Sequence, residues 1–143
     1  MTARTIWMPE VRAVLSQLTG TVDVAGVERW IAALDAELAK IPAGTEIVLL
    51  SDLYGYEPAD LEAHKRMRDV IPTRLAAMGF RTGLADAVGA AIEIAAAPRV
   101  VCSKVAHVHH DATKMAAYEA AHASPRERFF TSAAFANEWI LFD

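Results

Sequence analysis

Apolar residues along this chain fall into two patterns: unbroken runs that suit covered strands, and three-and-four spacings that suit helices. "TIWM" (5–8), stopped by Pro9, predicts a short edge strand, and "VRAVLSQL" (11–18) a second strand ending at Thr19–Gly20. Asp23 then stands where a helix N-cap belongs. After it, Val27, Trp30, Ile31, Leu34, Leu38 and Ile41 form one apolar stripe, closed by Pro42 and Gly44. "EIVLLSDL" (46–53) is nearly all apolar, as expected of a central strand covered on both faces.

Pro58 and Asp60 open a long helix that runs to about Met78 and stops at Gly79. Leu61, His64, Arg68, Ile71, Leu75 and Met78 share its stripe, two of them polar. Pro72 lies inside and predicts a kink or break. Residues 79–99 leave helix, strand and loop open. "VVCSKVAHVHHD" (100–111) predicts another buried strand. Asp111 caps a helix carrying Met115, Tyr118 and Ala121, and Pro125 closes it. "ERFFT" (127–131) is a short strand, and Thr131 or Ser132 starts a last helix with Ala136, Trp139 and Ile140 inward.

Strand and helix alternate throughout. The expected architecture is a single α/β domain over 1–143, a mixed, largely parallel sheet with helical crossovers. In such sheets ligands bind outside the carboxyl ends of the strands. Two of those ends are polar here, at Asp52 and at His107–Asp111. His64 and Arg68, a turn or two into the helix after Asp52, belong to the same crevice.

Composition narrows the function classes. The 143 residues are 54% hydrophobic and 22% charged, and the net charge is −4. That is a globular composition, and its sign speaks against nucleic acid or an anionic membrane as main partner. Cys102 is the single cysteine, so no internal disulfide forms and a reducing, cytoplasmic setting is expected. "MTARTIWMPEV" lacks the pattern of a secretory signal, and the Ala-rich run from Leu84 to Ala97 is too short and too charged to span a membrane.

"WIAALDAEL", "IVLLSDLYGYEPADLEAHKRMRDVIP", "VAHVHHDATKMAAYE" and "ERFFTSAAFANEWI" together resemble the SpoIIAA-like group of bacterial STAS/SEC14-type domains, over roughly residues 11–141. The most characteristic part is C-terminal, an aromatic strand leading into a helix with a terminal Trp. The resemblance implies a STAS-like fold and a regulatory or binding role, with a partner protein or a lipid-like ligand as occupant. Phosphoregulated members carry a phosphoacceptor serine at a helix start after a central strand. Here the matching turn reads "SDLYGYEP"; Ser51 belongs to the strand end and no Ser or Thr follows.

"AHVHHDATKM" (106–115) concentrates the candidate chemistry. On a strand His107, His109 and Asp111 share a face and His110 opposes them. "HVHHDA" is close to the H-x-H-x-D-H ligand motif of metallo-β-lactamase-type hydrolases, but Ala112 stands where the last histidine belongs. His107, His109 and Asp111, with His64, are the candidate ligands for zinc or another divalent metal. Otherwise they end a buried strand and cap a helix. Asp52 beside a histidine would make an acid/base pair, yet no convincing nucleophile accompanies it. No phosphate-binding glycine loop is present.

The leading expectation is thus a non-catalytic STAS-like module without a cofactor. It would bind a partner protein or a small, partly apolar or anionic ligand at Asp52, Tyr54, His64, Arg68, His107 and His109. Arg68 would meet an anionic head group, and Asp52 would orient a histidine or pair with Arg68. The alternative is a metal-dependent hydrolase built on His107, His109 and Asp111. A structural homodimer is the third reading.

Overall fold

The computed structural model describes residues 1–87 and 91–142. The chain opens with an antiparallel hairpin, β1 (Thr2–Met8) and β2 (Ala13–Val22). Its turn passes through Arg12 at φ 51°, in the left-handed region. β2 runs four residues past the expected stop at Leu18, because Gly20–Val22 pair in parallel with β4 (Tyr56–Pro58). Gly20 sits at φ 83°, and its missing side chain leaves room for the Met1 backbone.

α1 (Val24–Ala39) starts where expected, with the Asp23 carboxylate accepting from Gly26 N at 2.8 Å. β3 (Glu46–Asp52) is the central strand, between β2 and β5 (Val101–Val108), and β6 (Glu127–Phe130) closes the far edge. The strand order is β1-β2-β3-β5-β6, parallel except for the first pair.

The long helix expected from Asp60 to Met78 is two helices, α2 (Leu61–Met67) and α3 (Val70–Ala77). The break falls at Arg68–Asp69, upstream of Pro72. Proline has no N–H for the Arg68 carbonyl four residues back, and its ring would clash there. Pro72 is instead the third residue of α3, where a missing donor costs nothing. Part of the segment read as open forms α4 (Gly83–Ala87); residues 88–90 of it lie outside the described residues. α5 (Ala112–His122) and α6 (Ala133–Phe142) follow the expected helices.

The sheet separates two apolar cores. On one face Val14, Leu18, Ile47, Leu49 and Val105 pack with Trp30 and Leu34 of α1 and with Val70 and Leu75 of α3. On the other Leu50, Ala106 and Val108 meet Ala136 and Ile140 of α6. A register shift opposite Ile47–Val48 puts Cys102 and Val105 on one face although three positions separate them. Alternation from there sends His107 to the α1–α3 face. In-register pairing then lays one row across that face: Thr5, Ser16, Ser51, His107 and Phe129. Its first part is tied to the helix layer. Ser16 Oγ accepts from Trp30 Nε1 at 2.8 Å and lies 3.0 Å from Thr5 Oγ1.

Candidate functional site

The second half of that row lies under a cavity of about 250 Å³. The cavity opens at the carboxyl ends of β3 and β5, between α2–α3 on one side and α4–α5 on the other. Ser51 and His107 form its floor, both more than 90% buried. Met67, Ile71, Leu84, Met115 and Phe129 give it apolar walls. Among the described residues, His64, Arg68, His109 and Lys114 are its remaining nitrogen-bearing side chains, and no carboxylate lines it.

Each polar side chain has a local reason for its place. His64 and Arg68 lie four apart around the end of α2, whose start Asp60 caps by accepting from Ala63 N. Lys114 sits in the first turn of α5, where a cation opposes the helix dipole and lowers helix stability. Arg68 is exposed and Lys114 half-buried, and among the described residues neither has a carboxylate partner.

The electrostatics follow from this crowding. Burial, then the charges of Lys114 and His110, drive His109 down to about 4, against the opposing pull of Asp111 and Glu57. Its Nδ1 accepts from Asp111 N at 3.0 Å, so the neutral ring carries its proton on Nε2. His64 is also lowered, by burial first and then by Lys114 and Arg68. The rim at neutral pH is therefore two cations and two neutral imidazoles.

Beneath the rim, His107 Nε2 lies 2.8 Å from Glu127 Oε2. Glu127 is 3% exposed and also accepts from Thr82 Oγ1 and, at 2.8 Å, from Gly83 N. Burial pushes its carboxyl up, but the His107 hydrogen bond and charge, Thr82 and Gly83 outweigh it and hold it below the ordinary 4.5. Facing an ionised carboxylate, His107 Nε2 is the N–H donor. The ring also stacks on Phe129, centroids 4.7 Å apart at 18°.

Of the residues predicted from sequence, His64, Arg68, His107 and His109 come together in the cavity. Asp52 and Tyr54 do not. Strand alternation turns Asp52 to the α6 side, where its carboxylate accepts from Gln17 Nε2 at 3.1 Å and Tyr54 N at 3.0 Å. It neither orients a histidine nor pairs with Arg68. Tyr54 is exposed, its ring edge-on to His110.

The suggested metal ligands also diverge. β5 ends at Val108, so strand alternation does not extend to Asp111. Asp111 caps α5 by accepting from Lys114 N, His107 is held by Glu127, and His109 Nδ1 accepts from Asp111 N. Among the described residues no three His, Cys, Asp or Glu side chains converge on one point. Ser51, Thr82, Lys114 and Glu127 went unassigned in the sequence. Lys114 alone left a signal there, a cation three residues after a helix cap.

No family model matches the sequence, and no curated protein matches it. A solved structure does. The crystal structure of an uncharacterized protein of the DUF3478 family from Shewanella loihica PV-4, described as having a SpoIIAA-like fold, superposes with a TM-score of 0.56. The alignment covers 97% of this chain and 92% of that one, at 15% identity.

This chain has a SpoIIAA-like fold.

The likeness concerns the fold alone. In this SpoIIAA-like sheet the cavity sits where strand ends and helix starts meet, the usual crevice of open α/β sheets. No described helix is long and apolar enough to cross a membrane.

Proposed function

We propose that the chain is a non-catalytic binding module whose cavity takes a small, partly apolar anion. The observation that carries this reading is the lining, which holds Arg68 and Lys114, both close enough to act on His64, together with apolar side chains and, among the described residues, no carboxylate. An anion there gains from both cations and from the His109 Nε2–H. Its apolar body would cover Met67, Ile71, Met115 and Phe129, contributing about 25 cal/mol per Å² buried. A cytoplasmic setting fits the inert Cys102, whose thiol burial pushes up to about 12. Nothing in the arrangement favours a metal-dependent hydrolase, since its three suggested ligands face separate partners.

The test compares phenylacetate with phenethylamine, matched in shape and opposite in charge, by calorimetry at neutral pH. The acid should bind and the amine should not. Arg68→Ala with Lys114→Ala should weaken the acid at least about tenfold while leaving the fold intact. Equal measurable binding of both probes, or binding of the amine alone, overturns the reading.

A further inference from the structure

The anion reading uses the rim and walls of the cavity but leaves its floor without a task. Ser51 and His107 are in-register neighbours on β3 and β5 and face the same way. Ser51 is 2% exposed and lines the cavity. Tyr56 Oη is the buried side-chain polar atom that is sealed off without a partner among the described residues. Ser51 Oγ is not sealed in that way, and no described protein group bonds it, so it opens to the cavity. The His107 ring is fixed by Glu127 at Nε2 and by stacking on Phe129, and no described protein group bonds its Nδ1. The floor thus offers one hydroxyl and one fixed ring nitrogen, on neighbouring strands and both on buried residues.

Such a pair matches a hydroxyl better than a carbonyl. A ligand hydroxyl both donates and accepts, so it pairs with the Ser51 hydroxyl and with His107 Nδ1 at once, whichever of them supplies a proton. A carbonyl only accepts, so it satisfies both floor groups only when Nδ1 carries a proton. A ligand with a bare apolar end leaves both unpaired against a dry surface, at a cost of about 1–3 kcal/mol for each group by general measure. Size adds a limit. About 250 Å³ lies at the small end for ligand cavities, which favours a compact occupant.

We infer that the cavity selects a compact hydroxy acid: an anionic group at Arg68 and Lys114, an apolar body, and a distal hydroxyl bonded to Ser51 and His107. The inference rests on the anion reading and adds the third element. A site built to hydrogen-bond a hydroxyl discriminates strongly against the analogue that lacks it.

The experiment uses three probes on the full chain by calorimetry: 4-hydroxyphenylacetate, phenylacetate, and 4-hydroxyphenethyl alcohol, which keeps the hydroxyl but not the charge. The hydroxy acid should bind at least about tenfold more tightly than phenylacetate. Ser51→Ala should reduce that preference to less than about twofold, and Ser51→Cys, closer in size, should do so if the alanine variant does not fold. Equal affinity of the two acids, or a preference that survives both substitutions, overturns this inference and leaves the anion reading standing. If the alcohol binds as tightly as the hydroxy acid, the anion reading fails instead. If no probe binds, both fail.

Discussion

His107 Nε2 lies 2.8 Å from Glu127 Oε2, and the same carboxylate accepts from Gly83 N at the start of α4. One buried side chain on the edge strand therefore fixes both the floor of the cavity and part of its wall. Removing it strands His107 and Thr82 together. Glu127→Ala should cost about 3–5 kcal/mol in urea unfolding, as loss of one partner of a buried pair does.

Acid titration should report the same contact. The Glu127 carboxyl is held below 4.5 in the folded protein, so its contribution is complete above that value. It is lost as pH falls through the lower folded value, because the unfolded state binds the proton first. Stability of Glu127→Gln should fall less steeply than wild type below about pH 4.5. Parallel acid profiles of the two proteins would contradict the assignment.

His109 works in the same direction, at a higher pH. It takes up a proton near 6.5 in the unfolded chain and near 4 when folded. Between those values the unfolded state binds more protons, so acidification removes stability. Moving from about pH 7 to about pH 5 should lower the melting temperature of wild type more than that of His109→Gln. Proton NMR of the His109 ring should show it neutral at about pH 5.5 and shifted toward protonation when an anion occupies the cavity.

Tyr56 gives a prediction of the reverse kind. Its hydroxyl is buried without a partner, and burial pushes it up to about 12. Tyr56→Phe removes an unsatisfied group and keeps the ring, so stability should be unchanged or higher by about 1 kcal/mol. A loss of more than that in urea unfolding would reveal a bond to this oxygen.

At Gly83, the first residue of α4, the chain lies against His122 of α5. A Cβ built there would stand 2.7 Å from His122 Cβ, closer than such atoms approach. Gly83→Ala should push α4 away, costing about 1–3 kcal/mol and loosening the wall that Leu84 supplies. Retained stability with unchanged amide exchange in α4 would refute this.

The recognisable part of the site was the part carried by one element at a time. His64 and Arg68 could be paired because helical spacing sets which residues share a face. His107 could be put on a strand face, but the sequence does not reveal a register shift near Ser103 or a strand that ends at Val108. Asp52 shows the consequence. It and Ser51 are adjacent in sequence and equally polar, and a one-residue offset decides which one reaches the cavity. Glu127 could not be foreseen as the partner of His107, since 20 residues and a helix separate them.

From its sequence alone the chain determined the alternating strands and helices, the caps at Asp23, Asp60 and Asp111, and the need for a break before Pro72. These follow from side-chain periodicity and backbone sterics, which act over a few residues. The tertiary structure decided the pairing of Ser51 with His107, the binding of Glu127 to Thr82 and Gly83, and the placing of Arg68 and Lys114 on one cavity. Those depend on strand register and on the packing of helices onto one face, and no local spacing records either.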